Sequence, residues 1–149
     1  MYFIYLRAGS YRIEFSLENE QETKKSNVLD KGDNYILRSK TNWKYNDEGK
    51  IIEKLFSEYE YKKVNKTKKT LTSTKKDVYE YKIKDVMPDY YYYENDVLRM
   101  KTIYSNEDSY VTTFYFDGGF VVDSVYENAT HTKDIFYSNG NIIRQKVYE

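Results

Sequence analysis

Along the last third of the chain, apolar and polar residues alternate in short runs that stop at regular intervals. The runs read Tyr93-Glu-Asn-Asp-Val-Leu-Arg-Met-Lys-Thr-Ile-Tyr104, Tyr115-Phe-Asp-Gly-Gly-Phe-Val-Val-Asp-Ser-Val-Tyr126 and Tyr137-Ser-Asn-Gly-Asn-Ile-Ile-Arg-Gln-Lys-Val-Tyr148. Their opening tyrosines stand 22 residues apart, so residues 93–149 contain a hairpin repeat. Asp117-Gly118 and Asn139-Gly140 predict two-residue type I′ turns, because Asn, Asp and Gly tolerate the positive φ those turns need. Asn95-Asp96 holds the same place with weaker residues. A looser copy, Tyr45-Asn-Asp-Glu-Gly-Lys-Ile-Ile-Glu-Lys-Leu-Phe56, predicts a longer or bulged turn at Asp47-Glu48-Gly49. Polar connections at 105–109 and 127–131 return the chain to the next copy.

Upstream, Tyr2 to Leu6 and Tyr11 to Leu17 read as a hairpin about Ala8-Gly9-Ser10. The charged stretch Glu18 to Ser26 lacks strand formers and reads as an exposed loop or a short helical turn. Asp30-Lys31-Gly32-Asp33 reads as a turn, Tyr35 to Tyr45 as a strand, and Ile51 to Lys63 as its partner. Val78 to Lys84 resumes the alternation. Met87-Pro88 ends it, because proline cannot donate to a ladder, and Tyr90 to Tyr93 leads into the repeats. No stretch carries a helical period. The fold expected is all-β: an elongated up-and-down antiparallel meander in one domain over 1–149, with strands of roughly 7 to 10 residues.

A sheet packed on one side should read apolar on one face and polar on the other, and this one does not. Phe120, Val122 and Tyr126 fall on one face of their strand, Val121 and Val125 on the other. Either both faces are partly covered, or the sheet is a single thin layer whose surfaces are ladders of Tyr, Lys and Glu. Composition bears on this choice. Nineteen tyrosines suit wet sheet faces, since the ring packs while the hydroxyl stays hydrated. The apolar share of 40% makes a thick core doubtful. An open sheet would also expose two edges, through which copies could associate as a homo-oligomer.

Charge and chemistry narrow function only by exclusion. Twenty-four basic and 24 acidic residues cancel, which removes any global attraction to nucleic acid or anionic membrane. There is no cysteine, and hence no disulfide, thiolate metal site or cysteine nucleophile. Met1 to Leu6 is too short for a secretory core, and no run approaches a membrane span; the chain reads as cytoplasmic. The lone His131 falls in a predicted loop and reads as polar surface. No metal motif, phosphate-cradling loop or catalytic constellation is present, so neither enzyme activity nor a cofactor is expected.

One stretch stands out. Between Lys62 and Lys76 there are seven lysines and no acid, separated mostly by Thr, Ser and Asn. It reads as a lysine-rich loop: either a solvated hairpin tip or a basic finger. As a finger, Lys62, Lys63, Lys66, Lys68, Lys69, Lys75 and Lys76 would meet phosphates or an acidic protein face. Tyr59, Tyr61, Tyr79 and Tyr81 would stack at its root.

The repeats resemble bacterial MORN-type repeat proteins, including those grouped with toxin–antitoxin systems, over about residues 90–149 with echoes at 43–56. Tyr137-Ser-Asn-Gly-Asn-Ile-Ile is the nearest match and Tyr115-Phe-Asp-Gly-Gly-Phe-Val the next. The tyrosine-aspartate repeats of secreted polymorphic toxins look similar over the same residues. The second half of each copy lacks the further glycines of a MORN unit. The resemblance implies an antiparallel sheet that binds proteins or membranes without catalytic residues. The function expected is a non-enzymatic protein-binding module, an inhibitor of antitoxin, immunity or anti-defence type. The alternative is a nucleic-acid-binding protein using residues 62–76.

Overall fold

The computed structural model describes residues 2–5, 12–18, 21–30, 35–62 and 65–149, with side-chain environments for 38–60 and 70–149. Twelve strands follow one another: β1 (Tyr2–Tyr5), β2 (Arg12–Glu18), β3 (Gln21–Asp30), β4 (Tyr35–Tyr45), β5 (Ile51–Lys62), β6 (Asn65–Glu80), β7 (Asp89–Glu94), β8 (Val97–Asn106), β9 (Ser109–Tyr115), β10 (Phe120–Glu127), β11 (Thr130–Ser138) and β12 (Asn141–Val147). Their order in the sheet is their order in sequence, an antiparallel meander. Contacts divide the chain into two compact units, Met1–Lys76 with Glu94–Asp96, and Asp77–Tyr93 with Val97–Glu149.

In the first unit β4 and β5 pair from Tyr35↔Lys62 to Tyr45↔Ile51, as the alternation predicts. Their turn is the longer kind. Asn46 donates its amide to the Lys50 carbonyl, and its Oδ1 accepts from the Glu48 and Lys50 amides, while Gly49 supplies a φ of +76°. β1 and β2 pair as expected, although the turn between them, and residues 31–33 of the predicted turn after β3, lie outside the described residues.

Two expected loops are strands. Residues 21–30 form β3, paired with β2 on one side and β4 on the other. The lysine-rich stretch from residue 65 onward belongs to β6, a 16-residue strand. Strand propensity is largely the fit of a side chain to its neighbours, so a run of Thr and Lys enters a sheet when adjacent strands supply the ladder. In β6 the Thr72 hydroxyl donates to the Glu58 carbonyl at 3.1 Å, and the Thr74 amide donates to Asn95 Oδ1 at 2.9 Å.

In the second unit, β8 to β12 pair in register across four ladders. Asn95-Asp96 and Asn139-Gly140 are two-residue turns with positive φ throughout. Asn128-Ala129 is a third, within the expected polar connection. Asp117-Gly118 departs from expectation: residues 117–119 make a 3-10 turn closed by the Phe116 amide on the Phe120 carbonyl. Both Gly118 and Gly119 take φ +77°, and this second positive-φ glycine lengthens the turn beyond two residues.

Among the described residues no hydrophobic side chain is buried. The least exposed are small and polar: Thr41, Ser57, Asp89, Thr102, Thr113 and Asp134. Each lies within a strand, where longer neighbouring side chains can cover a short one. Thr102, Thr113 and Asp134 each have hydroxyl or carboxylate partners, as buried polar groups require. No described helix is long and apolar enough to cross a membrane.

Candidate functional site

Register sets which side chains of the second unit share a face. Tyr104 stands opposite Tyr110, Tyr110 opposite Tyr126, and Tyr126 opposite His131. The amide of Tyr148 donates to the Thr132 carbonyl, bringing its ring alongside His131. Five rings therefore form a continuous ladder across the strands. The centroid separations are 5.0, 4.5, 4.8 and 4.3 Å, with interplanar angles of 39°, 12°, 20° and 34°. The pitch follows from the strand spacing of about 4.7–4.9 Å.

The row below is polar. Thr102 and Thr112 share a hydrogen bond of 2.9 Å, and the Ser124 hydroxyl donates to Asp134 Oδ1 at 2.7 Å. Asp134 also accepts from the Tyr148 hydroxyl on Oδ2 and from His131 Nε2 on Oδ1. Burial pushes the Asp134 carboxyl pKa up. The donors from Tyr148, Ser124 and His131 outweigh it and hold the carboxyl below its usual range. His131 and Asp134 are three apart, which strict alternation would send to opposite faces. Between Lys133↔Val125 and His131↔Tyr126, Thr132 has no opposite residue, and this bulge turns His131 back to the Asp134 face.

A third row, Met100, Phe114, Val122, Phe136 and Arg144, completes this face, with the Arg144 guanidinium 5.7 Å from the Phe136 ring centre. The other face holds an open depression of about 330 Å³ lined by Lys101, Thr113, Tyr115, Val121, Asp123, Tyr137 and Gly140. The Thr113 hydroxyl donates to Asp123 at 2.6 Å. Burial, then the Asp123 charge, raises the Tyr137 phenol. No group of three or more potential metal-ligating side chains occurs among the described residues.

The residues singled out from sequence are dispersed. Lys63 lies outside the described residues, as do the side-chain environments of Tyr61, Lys62, Lys66, Lys68 and Lys69. Lys75 is exposed, while Lys76 and Tyr59 are half-buried. Tyr79 packs on Tyr90 at 5.3 Å, and Tyr81 lies just past the end of β6. Tyr59 belongs to the first unit and Tyr79 and Tyr81 to the second. His131, expected in a loop, stands in β11, bonded and stacked. The signal for the ladder was present in Tyr104, Tyr126 and Tyr148, which close the three copies 22 residues apart. Tyr110 and His131 come from the intervening strands, outside the repeated motif. No protein-family model matches this chain, and neither a curated protein nor a solved structure does.

Proposed function

We propose that this chain is a non-enzymatic protein-binding module, an inhibitor of the antitoxin, immunity or anti-defence kind, whose recognition surface is the ring ladder of the second unit. The observation that carries the reading is the ladder's own packing. Tyr110, Tyr126 and His131 have a neighbouring ring on each side at 4.3–5.0 Å, so they offer ring edges, and the two tyrosines their hydroxyls, rather than ring faces. Rigid tyrosines held this way give a large amphipathic contact area at low entropic cost, which suits a protein surface. Base stacking needs free ring faces, which these three do not offer. The MORN-type resemblance points the same way.

The test is selection of an expressed protein-fragment library against the immobilised chain. Enriched binders should be released by Tyr126→Ala, with the strand signal in circular dichroism retained. Enrichment of none, or of binders indifferent to that change, removes the reading. Retention on single-stranded DNA at about 50 mM salt, lost in Lys66→Glu/Lys68→Glu/Lys69→Glu, would replace it with nucleic-acid binding.

A further inference from the structure

All seven residues of β12 are exposed, and among the described residues no strand pairs with its outer side. The register divides its side chains by chemistry. Arg144 and Lys146 stand opposite Phe136 and Asp134 on the ladder face, and Ile142 and Val147 stand opposite Tyr137 and Lys133 on the other. Ile142 and Val147 are 54% and 69% exposed.

Neither cation has an ion-pair partner among the described residues. Lys146 faces Asp134, but both carboxylate oxygens there are taken by Tyr148, Ser124 and His131. Its ammonium sits instead 4.3 Å over the Tyr148 ring, as the Arg144 guanidinium sits over Phe136. Rings hold both charges in place without neutralising them.

From this we infer that β12 is a docking edge for an extended segment of another protein, with acidic residues at alternate positions and apolar residues between. This rests on the protein-binding reading and gives the partner's chemistry. The backbone of β12 supplies the ladder, Arg144 and Lys146 take the carboxylates, and Ile142 and Val147 take the apolar side chains. Cations on an edge also deter wrong pairings. Two β12 strands brought together antiparallel set Arg144 and Lys146 of one copy against the same residues of the other, so the edge selects against itself and for an acidic strand.

The probe is a fluorescent, end-blocked peptide alternating Glu and Val, followed by anisotropy against the full chain. Saturable binding below about 1 mM that weakens with salt is expected. A Lys–Val peptide should not bind, and neither should a Glu–Val peptide N-methylated at alternate residues. Arg144→Glu/Lys146→Glu should lose the acidic peptide at least about tenfold and gain the basic one, a gain that requires a folded edge. No binding of the acidic peptide, equal binding of the basic one, or undiminished binding of the N-methylated one overturns the inference. If it fails while Tyr126-dependent binders are still selected, the broader reading survives; if those binders are also absent, both fall.

Discussion

Asp134 shows how one residue can serve several elements. It joins β10 through Ser124, its own strand through His131, and the segment after β12 through Tyr148. Asp134→Asn keeps the shape but removes the charge that all three donors address. Hydrogen bonds to charged groups contribute about 1.5–3 kcal/mol, so a loss of that order is expected in urea unfolding at neutral pH. The sign with pH follows from the lowered carboxyl pKa. The unfolded chain takes up the proton first as the solution is acidified. The stabilisation is therefore complete above the ordinary carboxylate pKa of about 3.9 and fades as pH falls through the folded value. Wild type and variant should converge in acid, and a gap that stays constant down to the folded pKa would contradict this. None of this cluster was legible in the sequence, because the Thr132 bulge that unites His131 with Asp134 leaves no compositional mark.

Among the elements, turns were the most legible part, and their exceptions are instructive. Asn139-Gly140 behaves as its residues require. Asn128-Ala129 was not readable, because alanine does not advertise a φ of +59°. The Asp117 turn lengthened because Gly119 also takes positive φ and lies against Asn139, whose amide donates to the Gly119 carbonyl at 3.0 Å. A Cβ on Gly119 would stand 2.4 Å from Asn139 Oδ1, whereas one on Gly140 would meet nothing within 4 Å. Gly140→Ala should cost only the backbone penalty of about 1–2 kcal/mol. Gly119→Ala should cost that and a displaced Asn139 side chain besides. Adding Asn139→Gly should recover the steric part alone, so the double-mutant cycle should show coupling at 119 and none at 140. Equal losses at the two glycines would refute the argument.

At the scale of the molecule, the repeat and its tyrosines announced an all-β meander, and the mixed polarity of both strand faces left two arrangements open, covered faces or a thin layer; among the described residues no hydrophobic side chain is buried. The fate of the lysine stretch was hidden, since what makes residues 65–80 a strand is the neighbours it joins. Tyrosine supplies the whole-molecule prediction. Burial is the leading cause that raises the phenols of Tyr79, Tyr90, Tyr91, Tyr104 and Tyr137. A raised folded pKa means the unfolded chain ionises first. Stability is untouched below about pH 10 and declines as pH climbs toward the folded values. Absorbance titration of the native protein should show these five phenols ionising late, whereas in concentrated urea they should ionise near pH 10. A native titration that coincides with the one in urea would contradict the burial of these rings.

The bulge at Thr132 also governs how the chain tolerates changes in length. In a strand, losing one residue normally exchanges the two faces for everything beyond it. A bulge is a place where that exchange has already been made. Deleting Thr132 would restore simple alternation with His131 still opposite Tyr126 and now two positions from Asp134, so the ring keeps its face and the ladder stays whole. Other residues without an opposite partner include Ile52 in β5 and Ile143 in β12, each second in an Ile-Ile pair that follows a turn glycine by two residues. In the last two copies the 22-residue spacing and the face of the closing tyrosine both hold, because the unpaired Ile143 of one offsets the longer turn at residues 117–119 of the other.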